Sequence, residues 1–300
     1  MWVVCFYRYF PLLMNYPRDH QFYESVSPVV AKSMKPPMKS GIARHLSVPT
    51  RPSALSFWLF NSLFFLDGCW HVWAVFHNHA ELTVISKFLL CLLLVMLLIR
   101  ELGDQLPSNI LIAVLFCLTG DVLLQPLDLN YADMSGIRPN QFIVGVVCFC
   151  FAYGHLARYF LDLNPDWRND IKNKPAPCCF NVVMTLIVLG WMTFYNQAPV
   201  YLLVVLWIYS LIVVGMATLS MYLYGKVGLW PFLALVAGTN ALVFSDTVIG
   251  LTVFVKIAMP WLANPVWILT AYILGIALVF NATIFIEKRM SIVNKSDDFH

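Results

Sequence analysis

Charge is scarce in this chain: Asp, Glu, Lys and Arg make up 12% of its 300 residues, against 60% hydrophobic ones. With a mean hydropathy of +0.73, that scarcity excludes an ordinary soluble domain, in which about a quarter of the residues are charged. A concentration of one sign is lacking too. The net charge of +3 is small and spread along the chain, which argues against a nucleic-acid partner. The eight cysteines lack metal-ligand spacing. Cys148-x-Cys150 and the vicinal Cys178-Cys179 lie in or beside apolar runs, where free thiols pack as small hydrophobes. No Gly-x-Ser-x-Gly elbow, His-Glu-x-x-His or phosphate-cradling loop occurs, which argues against the common serine and zinc hydrolases. His77-Asn78-His79-Ala80-Glu81 groups ligand-type residues, but in a short loop without a third rigid ligand, and reads as solvated loop. The C-terminal residues carry no KDEL-like retrieval signal.

What the chain does have is apolar length. Eight runs of spanning length follow one another: 55–76, 83–99, 108–125, 141–161, 180–195, 200–222, 231–254 and 261–286. Each offers roughly 17–25 residues, enough for a bilayer core about 30 Å thick. The predicted fold is therefore all-α, a polytopic membrane protein built as an eight-transmembrane-helix bundle over residues 54–287. Residues 1–53 carry seven basic residues, several prolines and no sustained apolar run, and their composition predicts a disordered leader. Residues 288–300 read as a short polar tail. Sixteen of the nineteen basic residues fall on one side of such a bundle; only Lys87, Arg138 and Lys256 fall elsewhere. The positive-inside rule then puts both termini in the cytoplasm. Trp70, Trp73 and Trp261 are expected at the opposite interface as an aromatic belt.

Against this background the few intramembrane charges stand out. Leu118-Thr119-Gly120-Asp121-Val122 and Phe244-Ser245-Asp246-Thr247 each set a carboxylate within an apolar run, and Asp67 is a third. A charge at mid-helix in a bilayer costs roughly 2.5–3.5 kcal/mol on insertion scales, so such residues face a bundle interior and find partners. At 1.5 Å per residue, Asp67, Asp121 and Asp246 lie about 18, 20 and 22 Å from the cytoplasmic ends, and Lys87 about 24 Å. Four ionisable groups on four helices thus converge on one layer. Thr239, Asp246 and Gly250 share a helix face, as do Cys117, Asp121 and Gln125. Lys87 either belongs to the site or serves as structural glue. Asp67 either joins the acids or pairs locally with His71. His155 is either packed or catalytic.

The pattern resembles the lysoplasmalogenase family of YhhN-like membrane proteins. The carrying residues are Ser86-Lys87 opening the second span, Gly120-Asp121-Val122-Leu123-Leu124 in the third, and Gly145 through His155 in the fourth. Tyr209 with Met216, Ala237-Gly238 with Ser245-Asp246, and Tyr272 follow in the last three spans. The chain departs from the family pattern at Arg158, where a tyrosine is usual, and at Gly275, where a glutamine is usual. The resemblance implies hydrolysis of the vinyl-ether bond of lysoplasmenyl-ethanolamine or -choline, giving a fatty aldehyde and glycerophospho-ethanolamine or -choline. It also implies residence in the endoplasmic reticulum.

That chemistry suits two buried acids. A neutral carboxyl delivers a proton to the alkene carbon, and an ionised one steadies the oxocarbenium-like cation and activates water. The logic parallels glycoside hydrolysis. Asp121 and Asp246 are the expected pair, with Lys87 as charge partner. Asp67, His155, Tyr209, Thr239, Ser245 and Tyr272 are candidate supports, and Trp70, Trp73 and Phe116 candidate walls for a lipid tail. The expected partner is a lysophospholipid drawn from membrane lipid, and the reaction calls for no metal or organic cofactor. The alternative is a proton-coupled small-molecule or lipid transporter, because acids and a lysine at one depth also suit a relay.

Overall fold

A computed structural model describes residues 54–129, 139–195, 199–255 and 264–297. Helix is the only regular structure among them, as lipid demands: with no water to bond the backbone, a segment must satisfy its own N–H and C=O groups. The helices are α1 (Ala54–Phe76), α2 (Ala80–Leu102), α3 (Ser108–Leu129), α4 (Pro139–Leu163), the short α5 (Trp167–Asn173), α6 (Ala176–Phe194), α7 (Val200–Met221), α8 (Leu229–Val255) and α9 (Pro265–Asp297). Seven of these are long and apolar enough to cross a membrane. The others are the short α5 and α3, whose side chains are described over Ser108–Leu124, an apolar stretch shorter than the other seven. The last helix begins later than its apolar run and continues through the polar residues to Asp297. The short α5 was not expected; it lies in the polar link between two spans. The leader, Arg138, Lys256 and Trp261 lie outside the described residues.

The described links are short. His77-Asn78-His79 turns α1 into α2, with Asn78 at φ 57°, a conformation asparagine tolerates better than most residues. A single 3₁₀ turn, Gly103–Gln105, leads to α3, and the turn between α7 and α8 passes through Gly225 at φ 77°. Successive long helices run antiparallel: where the link is not described, paired contacts give the direction, Gly120–Phe149 with Gly145–Leu124 for α3 and α4, Asn181–Thr218 with Thr193–Trp207 for α6 and α7, and Gly238–Gly275 with Ser245–Ile268 for α8 and α9. Arg100, Arg158, Lys172, Lys174, Lys226, Lys288 and Arg289 consequently gather at one end of the bundle, called here the basic end.

Polar side chains tie that end together. Glu101 accepts the Ser56 hydroxyl at 3.3 Å and pairs with Lys288, joining α1, α2 and α9. Tyr159 donates to Glu287 at 2.7 Å, and Tyr222 to the Lys174 carbonyl at 2.8 Å. Glycines set the closest helix approaches. A Cβ on Gly238 of α8 would lie 2.8 Å from the Gly275 carbonyl oxygen of α9, and one on Gly275 3.0 Å from the Gly238 oxygen. On α3 and α4, Gly120 accepts the Phe149 ring and Gly145 the Leu124 side chain. Small residues let dispersion and backbone contact hold helices together where lipid supplies no hydrophobic drive. The basic half of the bundle is closed by Leu97, Ile110, Leu156, Phe160, Met216 and Phe280, each less than 2% exposed.

Candidate active site between two acids

The sequence-predicted acids of α3 and α8 face one pocket. Asp121 and Asp246 line one pocket, together with Lys87, Tyr209, Ser245 and Tyr272. The pocket's remaining wall is apolar, from Leu124, Phe142, Val146, Phe149, Leu206, Ile249, Gly250, Ile268 and Leu269. Among the described residues, six helices contribute to it.

Asp121 is 3% exposed and held from three directions. The Lys87 ammonium of α2 stands 3.4 Å from Oδ1. The Tyr272 hydroxyl of α9 donates to Oδ2 at 2.6 Å, and the Cys91 thiol approaches the same oxygen at 3.5 Å. Lys87 and Cys91 stand one helical turn apart on α2, so a single face of that helix serves the acid. The carboxylate is thus paired and hydrogen-bonded, the condition under which a buried charge is tolerated.

Asp246 has a different shell. Tyr153 of α4 donates to its Oδ2 at 3.3 Å. Tyr209 of α7 lies beside the same carboxyl, its ring centroid 6.0 Å from that of Tyr153. Among the described residues no basic side chain is within ion-pairing distance of Asp246. The neighbouring Ser245 turns away to donate to the Ile268 carbonyl at 3.1 Å, pinning α8 to α9 beside the acid. Two carboxyls therefore share a pocket in unlike surroundings, one with a cation and one with phenols only.

Other expected residues fall outside the pocket. Thr239 does not share the Asp246 and Gly250 position at the cavity; it donates to the Leu235 carbonyl and meets Ser220 at 2.9 Å. Its offset from Asp246 is a whole two turns towards the basic end, inside the packed half. His155 meets the Asn109 amide oxygen at 3.1 Å and stacks on Phe116. Asp67 does not join the acids or pair with His71: one of its oxygens is buried without a hydrogen-bond partner, while His71 meets Ser86 at 2.8 Å. Trp70, Trp73 and Phe116, expected as walls for a lipid tail, do not line the pocket; its aromatic lining besides the tyrosines is Phe142 and Phe149. Trp70 and Trp73 stack on one another on the outer surface, half exposed, and Phe116 stacks on Phe151. Tyr153 and Cys91 were not singled out from sequence. A phenol mid-span was the available signal for Tyr153; for Cys91, one turn beyond Lys87, spacing alone was too weak.

A sequence model of the YhhN family matches residues 82–283. The chain belongs to the YhhN family. The match takes in every residue that lines the pocket of this YhhN-family protein and leaves out α1, hence Asp67, Trp70 and His71. No curated protein and no solved structure matches the chain.

Proposed function

We propose that this YhhN-family protein is a membrane hydrolase that cleaves the vinyl-ether bond of lysoplasmenyl-ethanolamine or -choline. The observation that carries the reading is the pairing of two carboxyls in one apolar pocket with a single cation, on Asp121. One positive charge offsets one negative charge in a medium where an uncompensated ion is costly. The division of labour follows. Asp246 is the acid and Asp121, ion-paired with Lys87, the base.

The steps balance. Asp246 gives its proton to the alkene carbon one removed from oxygen, leaving an oxocarbenium-like cation between two carboxylates. Water adds to the cationic carbon as Asp121 takes its proton, forming a hemiacetal. Collapse of the hemiacetal breaks the carbon–oxygen bond: Asp121 returns a proton to the glycerol oxygen and Asp246 recovers one from the hydroxyl. The products are an aldehyde and an alcohol, with no change of oxidation state overall. The Tyr153 and Tyr272 hydroxyls hold the two carboxyls in place for this sequence, and the apolar wall suits an alkyl chain.

We read α3 as the eighth span of an eight-helix membrane bundle in the endoplasmic reticulum, since its full length of 22 residues reaches about 33 Å at 1.5 Å per residue. Purified protein in detergent micelles is expected to release aldehyde from a lysoplasmalogen. Asp246→Asn and Asp121→Asn are each expected to lower kcat by a factor of about 10²–10⁴, the range typical of general acid–base catalysis. Full activity in both variants overturns the assignment.

A further inference from the structure

The pocket is not central. Measured along the helix axes at 1.5 Å per residue, Lys87 and Tyr272 lie about 10 Å, and Tyr209 and Asp246 about 13 Å, from the helix ends that point away from the basic end. To the opposite ends of α2, α7, α8 and α9 the same residues measure about 18–38 Å. Direction matters as well as depth. On four of the helices that carry these polar groups, the apolar lining continues away from the basic end: Leu124 beyond Asp121 on α3, Leu206 before Tyr209 on α7, Gly250 beyond Asp246 on α8 and Leu269 before Tyr272 on α9; α2 lines the pocket with Lys87. One turn towards the basic end stand Cys91, Cys117, Tyr153, Val213, Leu242 and Ile276, each buried to at least 92%.

We propose that the two acids are reached only from the end of the bundle opposite the basic loops, so that the substrate is taken from the non-cytoplasmic leaflet and the polar product leaves on that side. This sidedness rests on the hydrolase reading for the identity of the substrate, but the access route rests on packing alone. The basic end is cytoplasmic because lysine and arginine cluster there. The side chains behind the acids are buried against one another, and neither water nor a lipid head passes between such side chains without separating helices.

Thiol labelling in sealed vesicles tests the route without reference to catalysis. Ile249→Cys on α8 and Val146→Cys on α4 place reporters on two walls of the pocket. The native Cys179, exposed at the start of α6 beside Lys174, marks the basic end in the same molecules. Vesicles are treated with a membrane-impermeant sulfonate thiol reagent from outside or, after loading, from inside, and each cysteine is scored by peptide mass spectrometry. Each pocket cysteine is expected to label from the face on which Cys179 is protected, at least tenfold faster than from the other. Labelling from the Cys179 face, or from neither face, overturns the proposal. Because the walls are on separate helices, one folded variant suffices. If labelling follows the expected side while the native protein releases no aldehyde from ether lysolipids, the hydrolase reading falls and the access route stands.

Discussion

At the scale of residues, the site is a problem in charge compensation. Lys87 and Asp121 are both more than 90% buried, so removing one partner strands the other in a medium that cannot solvate it. Lys87→Met is expected to lower stability by about 3–5 kcal/mol, and Lys87→Met with Asp121→Asn to recover most of that loss while remaining inactive. Thermal unfolding in detergent measures the first effect and aldehyde release the second; equal stability of the single and double variants would show that the pair is not coupled. Asp67 is the opposite case. Its unpartnered oxygen is buried outside the pocket, so replacing the group by an apolar one of similar shape removes a desolvation penalty. Asp67→Leu is expected to raise stability by about 1–3 kcal/mol with hydrolysis unchanged. A drop in hydrolysis would return this acid to the site.

At the scale of elements, the acids depend on helix spacing. Ser245 binds α8 to α9 beside Asp246, and the Gly238–Gly275 contact holds the same two helices about 10 Å nearer the basic end. A methyl group on Gly238 meets a backbone oxygen, which cannot rotate away as a side chain would. Gly238→Ala is therefore expected to destabilise by about 1–3 kcal/mol, the range for overpacking, and to reduce kcat by moving Asp246 relative to Tyr272 and Asp121. Gly154→Ala, where an added Cβ meets nothing within 4 Å, is the matched control. Equal stability of the two variants would remove the importance given to close approach. The Gly145–Leu124 contact plays the corresponding part between α3 and α4, bringing Asp121 level with the ring of Phe149.

At the scale of the whole molecule, the described residues are unevenly packed: side chains towards the basic end are closely buried, and the pocket lies on the other side of the acids. A carrier alternates access to both sides, and this requires two packings of one bundle. Here both the polar ties at Glu101, Glu287 and Tyr222 and the buried side chains behind the acids oppose opening of the basic half. Native protein in sealed vesicles is expected to release aldehyde without moving uncleaved lysolipid or protons across the bilayer. Sustained flux without cleavage would favour the transporter reading instead.

The sequence by itself determined the class of fold, because long runs of apolar side chains without charge have one stable form in lipid, and it located the basic end, because lysine and arginine stay where loops are wet. It also marked Asp121, Asp246 and Lys87, whose presence in such runs is too costly to be incidental. Rise per residue placed four charges in one layer, yet a layer has no compass: depth follows from counting, whereas direction around each helix follows from packing. Only the tertiary structure therefore separated Asp67 and Thr239 from the pocket, brought Tyr153 and Cys91 to the acids, gave Lys87 to Asp121 rather than Asp246, and moved the aromatic wall from Trp70 and Trp73 to Phe142 and Phe149. Those choices turn on which helices touch and at what angle, and apolar side chains that look interchangeable in sequence acquire different neighbours only when the bundle closes.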